Sequence, residues 1–544
     1  MNFAGAFDYI VIGAGASGAV VTHRLVQELD CRVLLLEAGS PDNAPAIHNT
    51  DIPSMVSLWT SPESDWGYQT VEQRHLNGRS IPIAQGKVLG GSTSINAMMY
   101  IRGNRRDFDY WNHLGNAGWS YQDVLPYFKR SEDYAGGASA YHGEGGPLQV
   151  VDYANPSPVS QAFVRAAMEL GFGGDGWDCN GEQQENGAFF YPSTRTHDNK
   201  RCSTAVAFLH PILNHPNLTT ATNAQVTRIL TSGGRVTGVE YIHNGQQQRV
   251  QADSEVIVCA GSFESPKLLM LSGLGPAQQL AAHGITTVVD LPGVGQNLQD
   301  HMLLGVGYQC RQEQPFPNLL SEAGLFTYTT PGLSAASPDL QFFFGPVQYV
   351  EPEYQVEGPG FTFAPILTQP HSRGTVSLRS DNPLDLAMID PNYLACEADL
   401  KVLVKGIELA RELVKTRAFA DLRGRELAPG AAVTSHAELA AYVRKVASTV
   451  WHPVGTCKMG LDAMAVVDPQ LRVYGVDGLR VADASIMPKI VSGNTNAATI
   501  MIGEKAADMI IAAQSQQPSR ERRPAITVTE EAASVKREAI TALA

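Results

Sequence analysis

Gly13, Gly15 and Gly18 stand at the spacing G-x-G-x-x-G, directly after the apolar run Phe7–Ile12 and at the head of a helical pattern that continues to about Leu29. Glycines so placed have a chemical use. The first permits a tight turn, the second lets main chain approach a pyrophosphate, and the third lets helix pack on strand. Ala16 and Ser17 fall in the opening turn of that helix, whose unpaired N–H groups suit a phosphate. Glu37 ends a second strand-like run, RVLLLEAG, 19 residues past Gly18, where a carboxylate can accept hydrogen bonds from a ribose diol; Ala38 follows it. With strand, helix, second strand and acid all in place, a plain glycine-rich turn is a poor reading. The fingerprint alone does not separate NAD from FAD.

A second glycine-rich stretch, GKVLGGSTSIN (Gly86–Asn96), has neither helical nor strand periodicity. Either its glycines let main chain lie against something large and flat, such as an isoalloxazine ring, or it is a simple connecting loop. Among the 14 histidines, His452 follows the strand-like run ASTVW and precedes Pro453. An imidazole titrates near neutral pH and so can act as a general base, but on the residues alone a satisfied core histidine is the better reading there. Asn496 directly precedes the helical pattern AATIMIGEKAAD, a natural N-cap.

The elements that must hold these residues are partly legible. A βαβ start begins almost at residue 1. Residues 50–150 are rich in Gly, Trp, Tyr and Asn, which suggests ordered loops and short helices. Alternating runs between Asn217 and Val258, broken by Gly-Gly and Asn-Gly, read as strands and hairpins. Residues 311–459 carry their own strand segments, DLQFFF and GTVSLRS, then a helix from Asp399 to about Val414. A last strand–loop–helix, GLRVADAS through AATIMIGEKAADMIIAA, precedes a polar tail at 516–544.

Composition narrows the function classes. The chain has 544 residues, 44% hydrophobic and 17% charged, with 51 glycines, as expected of a globular protein of more than one core. A net charge of −14 argues against a nucleic-acid partner, and the Arg520–Arg523 cluster is too small to reverse that. Seven scattered cysteines form no C-x-x-C and no metal-ligand spacing, so reduced thiols in the cytoplasm and no bound metal are expected. The N-terminus lacks the features of a signal peptide, and no run is long enough to span a membrane, which leaves at most a peripheral contact with the inner membrane.

Taken together, GKVLGGSTSIN, GSFESPKLLMLSGLG (Gly261–Gly275), LPGVGQNLQDH (Leu291–His301), WHPVGTCKMG (Trp451–Gly460) and GNTNAATIMIGEKAAD resemble the motifs of the glucose–methanol–choline (GMC) oxidoreductases. The likeness runs from residue 7 to about 511, and RCSTAV with GNTNAATIMI leans toward the branch of choline and L-sorbose dehydrogenases. It implies an α/β (α+β overall) architecture: a discontinuous Rossmann-like FAD-binding domain (1–150, 201–310, 460–515) and a substrate domain built on an antiparallel sheet (151–200, 311–459). It implies oxidation of an alcohol, with hydride transfer to the flavin and electrons passed to a quinone or dye-like acceptor. Oxygen use by an alcohol oxidase, choline oxidation and a non-redox FAD lyase are the alternatives.

The resemblance also assigns roles. His452 becomes the base and Asn496 its partner, at a position that the family fills with His or Asn. Val88, Gly91, Ser92, Asn96, Ala97, Met98 and Met99 should line the flavin, Val226 should give main-chain contacts to adenine, and Asp483 should lie near the ribityl–pyrophosphate part. Trp451 and Thr495 should flank the ring, and His301 should be structural, away from it. Some members attach FAD through a histidine in the glycine-rich motif; Ile95 stands there, which implies non-covalent FAD. The substrate is a small alcohol. Choline would need a carboxylate beside Trp59, Trp66 and Trp451, whereas a sugar or polyol would use Gln, Ser and Thr of residues 311–370.

Overall fold

The computed structural model describes residues 6–515 apart from 318, 331 and 333–335. The polar tail at 516–544, with Arg520–Arg523, lies outside the described residues.

The runs YIVI and VLLL are apolar on both faces, so each must be covered on both sides, as in a parallel sheet. Strand Ala6–Ile12 is flanked by Val33–Leu36 and Gln246–Val258, all parallel, with Leu218–Ala221 and Leu479–Val481 also parallel outside them. Strands Ala224–Ser232 and Arg235–His243 extend the same sheet antiparallel, in a meander whose two turns are Gly233–Gly234 and Asn244–Gly245. Helix Ala16–Glu28 covers the sheet, and the C-terminal helix Asn496–Ser515 packs across it. They cross closely at Gly503, where a Cβ would come within 2.8 Å of Ser17 O. Glu504, fully buried in that layer, is balanced by the guanidinium groups of Arg24 and Arg130 and the Ser131 hydroxyl. A buried carboxylate without such partners would cost several kcal/mol, on the order of 3–5.

The second sheet is antiparallel, in the order Arg423–Ala428, Val306–Cys310, Gly360–Leu367, Leu340–Gly345, Ala323–Thr327, Gly187–Phe190. Its strands alternate. Phe342, Phe344 and Phe363 join Phe163, Leu403 and Ile407 in one core, under helices Pro158–Glu169 and Glu397–Lys415. Phe343, opposite Ala364, points to the other face, as do Gly345 and its partner Thr362. The pairings of Val306–Cys310 place it wholly in this sheet, so the expected boundary at 310 moves back to about residue 301. At the other end, Val454, Cys457 and Met459 join the core of the parallel sheet rather than that of the antiparallel one.

Among the described residues no helix is long and apolar enough to cross a membrane, and no group of His, Cys, Asp and Glu could hold a metal ion.

Candidate active site

A cavity of about 310 Å³ runs from the glycine turn after the first strand to the free face of the antiparallel sheet. At its first end Gly13 has φ +95, and a Cβ there would come within 2.5 Å of Cys259 O on the neighbouring strand. Only glycine fits that turn. A Cβ on Gly18 would run into Gly13 O, so this glycine serves helix–strand packing and stands behind the cavity wall. Gly15 is different. It is the N-cap of helix Ala16–Glu28 without a side-chain cap, and a Cβ there would meet only Gly91 Cα, at 3.9 Å. The helix's first N–H groups therefore open onto the cavity beside Ala16 and Ser17, which line it, as a phosphate requires. The backbones of Gly86 and Gly91 nest against each other, and Gly91 against Gly15, so tightly that side chains would not fit.

Glu37 is buried at the end of its strand. Its two oxygens accept from the backbone N–H groups of Ala14 and Gly39, each at 2.8 Å, leaving further lone pairs at the cavity. Burial raises its pKa, and those two N–H groups oppose the rise. Ala38, Ser92, Asn96, Ala97, Met98, Met99, Val226 and Thr495 also line the cavity. So does Asp483, held by Gly261 N–H, Ser265 Oγ and Ser485 N–H. Val88 does not. It is fully buried, packed with Ile47, Leu58 and Ile95, because the loop turns its side chain away from the cavity.

At the other end stands His452. Trp451 before it holds φ +63, a conformation rare outside glycine, and its N–H donates to Thr449 Oγ1. Asp300 underpins the segment. Its carboxylate accepts from the backbone N–H groups of His301 and His452 and from the hydroxyls of Tyr393 and Thr449. Burial pushes it up to about 6, so it is ionised at neutral pH.

His301 was expected to stand apart from the site; instead its Nδ1 lies 3.0 Å from Nδ1 of His452. The contact fixes both tautomers. His301 Nε2 faces the Thr368 carbonyl at 3.1 Å, which only accepts, so that nitrogen carries the hydrogen. Neutral His301 then offers a lone pair at Nδ1, and His452 must donate to it from its own Nδ1. The Nε2 lone pair of His452 is left facing the cavity. Burial lowers the pKa of His452 well below its ordinary value, aided by the neighbouring His301, whose own pKa burial pushes down to about 3. At neutral pH His452 is a neutral imidazole ready to take a proton.

The amide beside that lone pair belongs to Asn494, not Asn496. Asn494 Nδ2 lies 3.4 Å from His452 Nε2, and its buried Oδ1 has no protein partner. Asn496 is the first residue of the C-terminal helix and lines the same cavity two positions on. The motif GNTN holds two asparagines at i and i+2, and only the chain's path into the helix separates them. Arg201 also escaped notice. Fully buried, it donates to the carbonyls of Ile47, Thr93 and Asn96 and to Asn96 Oδ1, bracing the loop that bears Gly91–Asn96. Burial pushes it down to about 9, still charged at neutral pH. Its only sequence signal was its place before CSTAV.

A cavity that joins a bare helix N-terminus to a lone-pair-bearing imidazole is the arrangement that a flavin-dependent oxidoreductase would need. The chain belongs to the GMC oxidoreductase family, which it matches over residues 7–303 and 370–503. It is similar to an alcohol dehydrogenase [acceptor] of Pseudomonas putida, 41% identical over 93% of this chain and 96% of the relative. It is equally similar, 41% over 93% and 95%, to an oxygen-dependent choline dehydrogenase of Brucella anthropi. Among solved structures, pyridoxine 4-oxidase from Mesorbium loti superposes with a TM-score of 0.87 at 33% identity, covering 94% of this chain and all of that one. The protein is an FAD-dependent enzyme that oxidises an alcohol.

Proposed function

We propose that His452 is the general base of that oxidation and Asn494 the group that holds the substrate oxygen. The observation that carries this reading is the Nδ1–Nδ1 contact of His301 and His452, which leaves one lone pair directed into the cavity. Bound FAD supplies a hydride acceptor at N5 of its ring. His452 Nε2 takes the hydroxyl proton, and the Asn494 amide donates to the alcohol oxygen, so that the α-hydrogen can be oriented toward the ring. The imidazolium that results keeps its Nδ1–H on His301, and the ionised Asp300 below supports it. Thr495 directly precedes and Asn496 begins a 20-residue helix whose positive end faces the cavity, which would favour negative charge on a ring bound there.

Ile95 stands where a covalent link would need histidine, which supports non-covalent FAD. We assign the electrons to a quinone or dye-like acceptor, by likeness to the acceptor-dependent relative, with oxygen the competing acceptor. The free thiols of all seven cysteines suit a reducing compartment, so we place the enzyme in the cytoplasm, with any membrane contact peripheral. The two largest hydrophobic cores among the described residues support the division into an FAD domain and a substrate domain.

Anaerobic mixing with alcohols, read by loss of the 450-nm-region flavin absorbance (roughly, for any flavoenzyme), tests the reading. His452→Ala is expected to stay yellow and lose about 10³-fold or more in the rate of bleaching. A variant that bleaches as fast as the parent would overturn the assignment.

A further inference from the structure

We propose that the alcohol accepted here is an apolar primary alcohol, aliphatic or arylalkyl, rather than a quaternary ammonium or a polyol. The inference rests on the reading of His452 and Asn494 as the reacting end of the cavity.

The wall facing them comes from the free side of the antiparallel sheet. Leu303 pairs with Ser448, and the next pair, Met302 with Thr449, leads straight into Val450 and His452. Across the sheet Leu303 opposes Ile366, and Ala364, two residues along, opposes Phe343. Leu303, Val450, Ala364, Phe343, Leu320 and Val347 all line the cavity. It is an apolar surface continuous with the base.

The polar residues of the same wall are already committed. Thr362 Oγ1 donates to Val347 O at 2.7 Å and accepts from Tyr349 N–H at 2.9 Å. Ser321 Oγ bonds to the carbonyls of Ala323 and Phe344 and accepts from Phe344 N–H. Thr449 is taken by Asp300 and Trp451. Behind the wall, outside the cavity lining, Gln341 donates to Tyr191 Oη while its Oε1 has no protein partner, and Gln348 is bonded to Val356 and Gly358. The hydroxyls of Ser321, Thr362 and Thr449 are thus engaged within the protein, and a polyol would bury its own hydroxyls unpaired. Tyr349, part exposed, is the one phenol at this face.

A cation fares no better. The cavity's carboxylates are Glu37, Glu264 and Asp483. Glu37 and Asp483 are tied to backbone N–H groups at the dinucleotide end, and Glu264 is paired with Lys267 and Tyr68 Oη. Trp59 and Trp451 meet edge-on, with ring centroids 4.7 Å apart, and no carboxylate joins them in the cavity wall. By contrast the His452 Nε2 lone pair and the Asn494 Nδ2 amide beside it suit a single hydroxyl, the one taking its proton and the other donating to its oxygen. One polar group on an apolar body is what this end of the cavity complements.

The test is a series on the purified FAD-loaded enzyme with a dye acceptor: ethanol, 1-butanol, 1-hexanol, benzyl alcohol, choline, sorbitol and L-sorbose. kcat/KM is expected to climb roughly fourfold per methylene up to 1-hexanol, as burial of a CH₂ allows, with choline and both polyols at least about 100-fold below 1-hexanol. Choline or a polyol as the best substrate would overturn the substrate class and leave the role of His452 standing. No bleaching by any alcohol would overturn both. As a second arm, Ala364→Asp puts a carboxylate on the apolar face. It is expected to keep its FAD absorbance and lose at least about tenfold in kcat/KM for 1-hexanol while choline gains. An unchanged ratio of the two substrates would overturn the wall assignment.

Discussion

The Nδ1 atoms of His301 and His452 lie 3.0 Å apart, and since neither imidazole is charged at neutral pH only one of the two can carry a hydrogen. The Thr368 carbonyl decides which, by holding the proton of His301 at Nε2. His301 is thus a positioning residue that sets the tautomer of the base without entering the cavity.

Replacing it should therefore cost rate more than binding. For His301→Ala we expect kcat to fall by about 10²-fold or more with KM changed by less than about threefold, as for other losses of a tautomer-setting partner. The acid limb of the kcat/KM profile should move as well, since the neighbour that lowers the base's pKa is gone. A structural role alone would lower Tm and leave that limb in place.

The two asparagines of GNTN separate cleanly. Asn494→Ala should lower kcat/KM by about 10²-fold through loss of the amide at the substrate oxygen, whereas Asn496→Ala should cost less than about tenfold. Equal losses in steady-state assays would remove the special place given to Asn494.

The buried imidazoles also govern acid stability. Unfolded histidines take a proton near pH 6.5 (roughly), while folded His301 stays neutral down to about 3 and folded His452 well below 6.5. Their stabilisation is present above that unfolded value and is lost as pH falls toward the folded ones. Asp300, raised to about 6, acts in the opposite sense and stabilises the folded state on the acid side. In the first pH unit or so below 6 the two histidines outweigh the one carboxylate. Chemical denaturation should then show these groups lowering stability by about 1.4 kcal/mol per pH unit for the net proton. The slope of His301→Gln should be shallower by about that amount; identical slopes would contradict the buried neutral pair.

Gly13 and Gly15 should fail in different ways. Gly13→Ala meets Cys259 O and a positive φ, so the folded protein itself should be destabilised, by about 1–3 kcal/mol or more. Gly15→Leu enters open space before a bare helix end. It should leave the melting of the apo-protein nearly unchanged and abolish FAD retention after gel filtration. A fully yellow Gly15→Leu enzyme would refute the phosphate turn.

Arg201→Met would strip donors from the carbonyls of Ile47, Thr93 and Asn96. We expect a loss of about 3 kcal/mol or more and weaker FAD binding, because the cavity-lining loop of Gly91–Asn96 loses its brace. Melting and flavin titration on the same preparation check both.

Much of this was legible before any coordinates. The G-x-G-x-x-G turn and the strand ending at Glu37 are local patterns: each depends on residues a few positions apart whose backbone geometry is dictated by glycine or an apolar run, whereas His452 was singled out only by the motif WHPVGTCKMG and its likeness to the family. The boundary at 310, Val88, Asn496 and His301 went astray for a common reason. Strand pairing, the side of a loop that faces inward and the partner of a buried ring depend on segments as much as 151 positions away, and no local pattern reports them.

The chain's own order of residues determined a dinucleotide turn, a buried parallel sheet and a histidine-bearing C-terminal motif, because hydrophobic periodicity and glycine geometry act over short range. The tertiary structure alone decided that His301 fixes the proton of His452, that Asn494 and not Asn496 faces it, and that the serines and threonines of the wall are engaged within the protein. The first two are contacts across sequence-distant segments, and a donor's partner exists only once the chain has folded around it.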